Sequence, residues 1–226
     1  MLDRNEGSSY SASVQGSNVD VGHRLEAAAT RLGFEIEAAA VDRLRLLLGM
    51  WHRFGRAFNL SGATDEAGLL GHVLEGLQVV ALAHEVGVES AQRWLDVGSG
   101  AGFPGLVIAA CFEVQVTLVE PRERRASFLD MAVNQIGRRD CRVLRGHIEG
   151  SAWRPIKPGE VVVAGSFDWA SARAVFAPEV WVELGKQWVK PGGVVVAHVK
   201  AERGAFAGEV ARVDDERWSV RGVRGG

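Results

Sequence analysis

The sequence predicts an α/β protein with a mostly parallel sheet and an N-terminal helical extension. Apolar residues recur at helical spacing over roughly the first 90 residues, after a polar start rich in Ser and Gly. From Arg93 onward, short apolar runs alternate with helical segments, and strands joined through helices lie parallel with right-handed crossovers. We therefore expect a disordered tail at residues 1–20, a helical part at 21–90 and a sheet domain at 91–226, folded as one compact unit.

The individual elements follow from the period of the apolar residues. In the first part, that period predicts helices over residues 21–50 and 65–87, with a break near Gly33. In the second part it predicts strands at 93–97, 114–120, 141–145, within 161–170 and at 194–199. The helices between these strands are predicted at 106–112, 124–136 and 178–188. Beyond Glu209 the sequence predicts at most one or two further strands, around Trp218.

The composition is that of an ordinary globular protein, with 47% hydrophobic and 24% charged residues. Because the net charge is −2, a nucleic-acid partner would need a local basic patch. The sequence shows no run of about 18 apolar residues and no secretory signal, which predicts a cytoplasmic protein without a membrane span. Cys111 and Cys141 lack the spacing of a metal site, so we expect reduced thiols and no metal.

A glycine-rich turn, Leu95-Asp-Val-Gly-Ser-Gly-Ala-Gly-Phe-Pro-Gly105, follows the first predicted strand. Such turns hold nucleotides, because glycines adopt positive φ and the next helix points its N–H groups at the ligand. A nicotinamide-dependent dehydrogenase is one interpretation. Gly100 to Gly105 fits the pattern G-x-G-x-x-G, and Glu120 follows Gly100 by 20 residues.

Three features favour a different nucleotide. Asp96 lies at the end of the predicted strand, two residues before Gly98, where it would repel a pyrophosphate. Gly98, Gly100 and Gly102 form a G-x-G-x-G run. Pro191-Gly-Gly precedes the last predicted strand of the parallel series. Together these features resemble class I methyltransferases, which have a Rossmann-like fold and use S-adenosylmethionine. The positive charge of that cofactor makes a nearby carboxylate favourable, and Glu120 is placed to accept hydrogen bonds from its ribose hydroxyls.

Two common methyltransferase chemistries lack their motifs here. Methylation of an exocyclic amino group usually requires Asp/Asn-Pro-Pro-aromatic after the fourth strand, and residues 166–174 contain no Pro-Pro. Methylation of a pyrimidine at carbon 5 requires a nucleophilic thiolate. Cys111 falls in a predicted helix and Cys141 at the start of a predicted strand, so both are predicted to be core residues.

Four segments carry a more specific resemblance: Trp51 through Asn59-Leu60-Ser61, His72-Val-Leu-Glu75-Gly-Leu, the glycine turn with its Phe-Pro-Gly105 ending, and Phe167-Asp168 with Ala172-Arg173-Ala174. They resemble the small-subunit ribosomal RNA guanine-N7 methyltransferase family, RsmG, also named glucose-inhibited division protein B. The resemblance extends from about Arg43 to Lys200. The chain departs from the family at four points: Glu120-Pro121 for Asp-Ser, Ile148 for Ala, Ala172 for Ser, and Glu75-Gly76 for Asp-Ser.

The resemblance implies methyl transfer from S-adenosylmethionine to N7 of a guanine in small-subunit (16S) ribosomal RNA. It assigns cofactor contacts to Gly98, Phe103, Glu120, Ile148, Glu149 and Arg173, and it makes Arg173 the catalytic candidate. The glycine turn itself adds Asp96, Ser99, Gly100 and Gly102 to the predicted cofactor site. Phe103, Phe176 and Arg173 are the candidates for stacking on the target base.

The RNA backbone would need cations near the same site. We predict RNA contacts from Arg53, Arg124, Arg125 and Lys200, and further candidates are Arg56, Arg122, Arg138 and Arg139. The expected partner is small-subunit ribosomal RNA or the 30S subunit, bound by a monomer. Two alternatives remain open at this stage: a methyltransferase for a small metabolite, which the near-neutral charge favours, and a non-catalytic protein that binds S-adenosylmethionine.

Overall fold

The computed structural model describes residues 20–58, 65–201, 203–214 and 218–226. Almost the whole predicted tail, and the Asn59-Leu60-Ser61 part of the first resemblance segment, lie outside the described residues. Helices in the N-terminal part are α1 (residues 20–31), α2 (Ala38–Phe58) and α3 (Glu66–Val86). Both ends of α3 have residues that are typical of helix caps. The Asp65 side chain accepts a hydrogen bond from the Gly68 N–H at 3.0 Å, and Gly87 ends the helix with φ of 90°.

The strands and helices of the second part follow in the predicted alternation. The strands are β1 (Arg93–Val97), β2 (Gln115–Val119), β3 (Arg142–Leu144), β4 (Gly146–Glu149), β5 (Ala152–Pro155), β6 (Phe167–Ala172), β7 (Val189–Lys200), β8 (Glu209–Asp214) and β9 (Trp218–Arg224). The helices are α4 (Gly105–Cys111), α5 (Glu123–Gln135) and α6 (Pro178–Lys186). The hairpin of β4 and β5 was not predicted from the sequence.

In the described part of the chain, a seven-stranded sheet has the order β3-β2-β1-β6-β7-β9-β8. Strands β3, β2, β1, β6 and β7 run parallel, and β9 and β8 complete one edge with antiparallel pairing. This confirms the predicted mostly parallel, Rossmann-like sheet. The chain leaves β1 toward β2 on one side and later returns as β6 on the other, so a ligand crevice is expected where these strands end.

Helices cover both faces of the sheet. One buried cluster joins α1, α2, α3, α4 and α5 to one face, and it contains large side chains such as Trp51, Trp94 and Phe128. The opposite face packs mainly against α6 through residues such as Trp181 and Val195. Because side chains of the N-terminal helices belong to the same cluster as sheet side chains, the helical part is packed directly on the sheet.

Helix α3 is more apolar than the sequence analysis allowed. Its segment Ala67–Val86 is long and apolar enough, by length and composition, to cross a membrane, with a mean hydropathy of 1.2. Within the structure the helix packs against α4, β8 and β9, and 61% of the most apolar 18-residue stretch of this segment is buried. A helix buried on several sides must be apolar around most of its circumference, so its location in the core accounts for the composition.

Candidate functional site

The glycine loop follows β1 and has a backbone that only glycine adopts easily. Gly98, Gly100 and Gly102 have φ values of 66°, 57° and 95°. A Cβ atom on Gly98 would lie 2.4 Å from Val175 Cγ2, which is too close for any non-bonded contact. The alternating glycines therefore set the loop conformation and leave its backbone open to a ligand at the end of the sheet.

Asp96, at the end of β1, lies beneath this loop and is 1% exposed. Its Oδ1 accepts a hydrogen bond from the Ser171 hydroxyl at 2.8 Å, and its backbone carbonyl accepts one from the Ser99 hydroxyl at 3.0 Å. Burial raises the pKa of Asp96 to about 6, although hydrogen bonds from Ser171 and Ser99 and the charge of Arg173 act in the other direction. Asp96 thus supports the loop from the protein side.

Glu120, directly after β2, joins the glycine loop to the neighbouring strand. Its Oε2 accepts a hydrogen bond from the Gly100 N–H at 2.9 Å, and its Oε1 accepts one from the Arg122 N–H at 2.9 Å. Only 3% of the residue is exposed. The parallel pairing of β1 and β2 brings residues 100 and 120 together, as the sequence spacing predicted.

The loop and Glu120 form part of the wall of a cavity of 520 Å³. Of the ten predicted cofactor residues, six belong to this wall: Gly98, Ser99, Gly100, Phe103, Glu120 and Arg173. Among the described residues, the wall also contains His72, Ala101, Pro121, Arg122, Arg125, Ala174 and Val175. Asp96 and Gly102 support the loop without lining the cavity. Ile148 and Glu149 do not line it either: Ile148 packs in the core, and Glu149 forms an ion pair with Arg154 at 3.3 Å.

Arg173 follows β6 and extends along the cavity wall. Its Nη1 donates a hydrogen bond to Glu75 Oε2 and lies 3.2 Å from His72 Nδ1. Its guanidinium carbon is 5.3 Å from the centre of the Phe103 ring. The fold therefore brings α3, the glycine loop and the end of β6 together at one point, and these are three of the four segments of the resemblance.

The α2 segment joins the same cluster through Trp51. Its indole N–H donates a hydrogen bond to the Ala101 carbonyl at 2.7 Å, and its ring stacks on Phe103 with ring centres 4.2 Å apart. His72 packs on Phe103 from another side, with ring centres 5.2 Å apart. Trp51, His72 and Glu75 belong to segments that carry the family resemblance, but none of them was predicted as a site residue.

His198, on β7, was also missed by the sequence analysis. Both of its ring nitrogens are buried, and its ring interacts electrostatically with Arg173 and Glu75. Burial, assisted by the positive charge of Arg173, lowers the pKa of His198 to about 4. The imidazole is therefore neutral at physiological pH.

The predicted RNA-binding residues are distributed unevenly around the cavity. Arg125 lines it, together with Arg122. Arg124 is exposed on α5, and Lys200 is exposed at the end of β7. Arg53 lines a separate groove of 610 Å³ between α2 and α5, and its guanidinium carbon lies 5.2 Å from the centre of the Phe54 ring. The side chain of Arg56 is outside the described residues.

Arg138 was predicted as a surface cation, and that prediction is wrong. Its side chain is 2% exposed and donates hydrogen bonds to the carbonyl groups of Ala109, Phe112 and Val114. It also pairs with Asp140 at 2.7 Å. The guanidinium therefore ties the end of α4 to the loop before β3, and the sequence could not distinguish it from its exposed neighbour Arg139.

The structure also locates Phe176, a candidate for stacking on the base, and the two cysteines, which were predicted to be core residues. Phe176 stacks on Trp181 with ring centres 5.9 Å apart and is not part of the cavity wall. Cys111 and Cys141 are free thiols in or beside the core, and burial raises the pKa of Cys111 to about 12. Among the residues that the structure describes, no group of three or more His, Cys, Asp or Glu side chains could hold a metal ion.

Comparison with known proteins gives the family. The profile of the GidB family, described as rRNA small subunit methyltransferase G, matches residues 41–224. Ribosomal RNA small subunit methyltransferase G of Ralstonia nicotianae is 30% identical over 213 residues, which cover 90% of this chain and 87% of that protein. The protein of the same name from Neisseria meningitidis serogroup B is 34% identical over 128 residues, and the alignment spans 56% of this chain and 59% of that protein.

A solved structure supports the fold alone. The crystal structure of a mutant of MtNAS superposes with a TM-score of 0.50 at 13% identity, over 82% of this chain and 74% of that chain. The sequence matches, in contrast, extend through the helices, the glycine loop and the sheet. The chain belongs to the rRNA small subunit methyltransferase G (GidB) family.

Proposed function

We propose that this protein transfers the methyl group of S-adenosylmethionine to N7 of a guanine in small-subunit ribosomal RNA. The observation that carries the proposal is the 520 Å³ cavity, which the glycine loop, Glu120 and Arg173 enclose where β1, β2 and β6 end. Its volume lies within the range of small-molecule sites. Membership in the family supports the choice of ribosomal RNA as the acceptor.

The residues around the cavity suit S-adenosylmethionine. When bound, this cofactor supplies an electrophilic methyl carbon attached to a positively charged sulfur. The open backbone of Gly98 and Gly100 would accommodate its amino-acid part, and Glu120 would accept hydrogen bonds from its ribose hydroxyls. Asp96, directly below the loop, supplies a negative charge that favours a cationic ligand.

The acceptor chemistry requires positioning more than proton transfer. Guanine N7 has an in-plane lone pair and carries no proton, so its attack on a methyl group needs no general base. The protein must instead hold the nitrogen, the methyl carbon and the sulfur in one line, with the nitrogen about 3 Å from the methyl carbon. We assign this task to the wall of His72, Phe103 and Arg173, where the guanidinium of Arg173, backed by the Phe103 ring, can stack on a base that has left its helix.

Binding of the RNA backbone is assigned to arginines at the cavity. Arg122 and Arg125 line it, and Arg124, directly before Arg125 on α5, is exposed. Since the chain has a net charge of −2, attraction for phosphates must come from such local groups. We expect binding to weaken steeply as salt is raised, because each neutralised phosphate releases counterions.

The proposed partner is small-subunit ribosomal RNA or the 30S subunit in the cytoplasm, bound by a monomer. The test is methyl transfer from tritiated S-adenosylmethionine to small subunits, and to their free RNA, prepared from cells that lack this activity. Digestion to nucleosides should yield N7-methylguanosine as the labelled product, in an amount that corresponds to about one methyl group per RNA molecule. Comparing the two substrates shows whether free RNA or the assembled subunit is methylated.

A matched pair of variants links the reaction to the cavity. Glu120→Gln should weaken cofactor binding by about tenfold, because it removes a charged acceptor at the cavity wall. Glu123→Gln removes a nearby carboxylate that is 74% exposed, and it should leave binding unchanged. RNA without label, together with normal cofactor binding, would replace the proposal by a metabolite methyltransferase or a non-catalytic binding protein.

A further inference from the structure

The structure contains a compact ionic group beside the cavity, which we name the Arg173 cluster. It consists of His72, Glu75, Arg173 and His198, from α3, the end of β6 and β7. Arg173 and His72 line the cavity, whereas Glu75 and His198 do not. Glu75 and His198 therefore belong to the cluster without bordering the cavity themselves.

Glu75 is the member that contacts both cavity residues. Its Oε2 accepts a hydrogen bond from Arg173 Nη1 and lies 3.5 Å from His72 Nδ1. The side chains of Glu75 and Arg173 are 28% and 22% exposed, so water screens this pair much less than it screens a surface ion pair. One carboxylate thus restrains two side chains of the cavity wall.

The electrostatics of the cluster keep this carboxylate charged. Burial by itself would raise the pKa of Glu75, but the hydrogen bond from His72 and the charge of Arg173 outweigh burial and hold the pKa below its usual value. His198 stays neutral and adds no competing positive charge at physiological pH. Glu75 is therefore a permanent counter-ion for Arg173.

Restraining Arg173 matters because arginine has a long side chain with several rotatable bonds. Ordering such a side chain at the moment of ligand binding costs free energy, and ordering it beforehand avoids that cost. In the structure the restrained guanidinium lies against the Phe103 ring, which Trp51 in turn holds by stacking. The wall on which the acceptor base would rest is thus already formed.

We propose that Glu75 is a positioning residue for methyl transfer: its carboxylate holds the Arg173 guanidinium against Phe103, ready to receive the acceptor base. This rests on the proposed function, in which Arg173 contacts the base. Glu75 is one of the positions at which this chain departs from the family resemblance, with Glu where Asp is usual. The variant Glu75→Asp therefore tests whether the longer side chain of Glu is needed to hold Arg173 in this chain.

The first experiment is a double-mutant cycle with Glu75→Gln, Arg173→Gln and the double variant, assayed for kcat and KM on the RNA substrate. Glu75→Gln should lower kcat by about tenfold, while the KM for RNA and the Kd for cofactor change by about twofold or less. In the Arg173→Gln background the same change should have no further effect. Glu75→Asp, which keeps the charge, should retain more activity than Glu75→Gln.

A control separates these effects from loss of any carboxylate. Glu183→Gln removes a 73% exposed carboxylate on α6 that pairs with Lys186 at 2.8 Å, and it should leave kcat unchanged. Additive losses in the double variant would overturn the proposal, because they would mean that Glu75 acts independently of Arg173. Equal losses in Glu75→Gln and Glu183→Gln would overturn it as well.

A second measurement needs no catalysis. Proton–nitrogen NMR spectra resolve the Nη hydrogens of an arginine when an ion pair slows the rotation of its guanidinium, and the Arg173 signals are identified by their loss in Arg173→Lys. We expect them in the wild-type protein and not in Glu75→Gln. Signals that persist unchanged in Glu75→Gln would refute the restraint. If wild-type protein fails to methylate RNA, the proposed function fails while this measurement still decides the role of Glu75.

Discussion

The buried carboxyl of Asp96 should make the stability of this protein depend on pH in a defined direction. Burial raises the pKa of this group from its ordinary value of 3.8 to about 6. The folded state therefore binds the proton more tightly than the unfolded state. The resulting stabilisation is fully present below about pH 3.8 and is lost as the pH rises through about 6.

The difference between these two pKa values corresponds to about 3 kcal/mol. At pH 7 Asp96 is ionised in the folded and the unfolded state, so the folded state lacks the stabilisation of about 3 kcal/mol that the protonated carboxyl provides at low pH. Replacement by Asn removes the titration and keeps an oxygen to accept the Ser171 hydroxyl. The free energy of unfolding of the wild type, minus that of Asp96→Asn, should fall by about 2 kcal/mol between pH 4 and pH 7, because part of the full difference lies below pH 4.

The assay is urea unfolding of both proteins at several pH values across this interval. Using the difference between the two proteins cancels every other titrating group, and Asp42→Asn provides a control at a carboxylate that is 72% exposed. A difference that stays constant with pH, or rises, would refute the assignment of a buried carboxyl beneath the loop. Asp96→Asn should also bind S-adenosylmethionine more weakly at pH 7, because the negative charge that favours the cofactor is gone.

Two further substitutions test the loop and the core. Gly98→Ala would place a Cβ 2.4 Å from Val175 Cγ2 at a residue with φ of 66°, and it should weaken cofactor binding in calorimetry by at least about tenfold. Gly137→Ala is the control, since φ there is 74° but no atom lies within 4 Å of the added Cβ; it should reduce only stability, by about 1 kcal/mol. Arg138→Ala leaves the carbonyl groups of Ala109 and Val114 without their buried donor, so it should lower the free energy of unfolding by about 3 kcal/mol or more. Arg139→Ala, at the exposed neighbour, is the control and should change the free energy of unfolding by less than about 0.5 kcal/mol. Similar losses in urea unfolding of the two arginine variants would contradict the buried role of Arg138.

Local signals in the sequence were sufficient for most of the fold. Helix α3 begins at its Asp65 cap and ends at Gly87, and both residues are recognisable without a structure. The strands β1 and β2 are short apolar runs with a glycine loop or an acid directly after them. These features were predictable because caps, turns and apolar periods depend on residues close together in the chain. The β4–β5 hairpin has a two-residue turn signal in Gly150-Ser151, where Gly150 has φ of 61°. It was missed because the flanking residues 146–149 and 152–155 show no clear alternation of apolar residues.

The site was predictable where the order of the chain implies the geometry. Two parallel neighbouring strands bring their ends together, so the glycine loop and Glu120 had to meet, and the structure joins them by the hydrogen bond from Gly100. For Ile148 and Glu149 the resemblance alone suggested a cofactor contact, and the structure does not place them on the cavity wall. Their role in cofactor binding stays a prediction.

The sequence by itself determined the fold class, the family resemblance and the loop that should hold the cofactor. Only the tertiary structure decided the surroundings of individual charges. Arg138 and Arg139 are adjacent and identical in type, yet packing buries the first against carbonyl groups and leaves the second exposed. Likewise, Glu75 and Arg173 are 98 positions apart and meet because α3 packs on the sheet close to the residue that follows β6. Burial and long-range pairing depend on how helices pack on the sheet, and no local pattern specifies that arrangement.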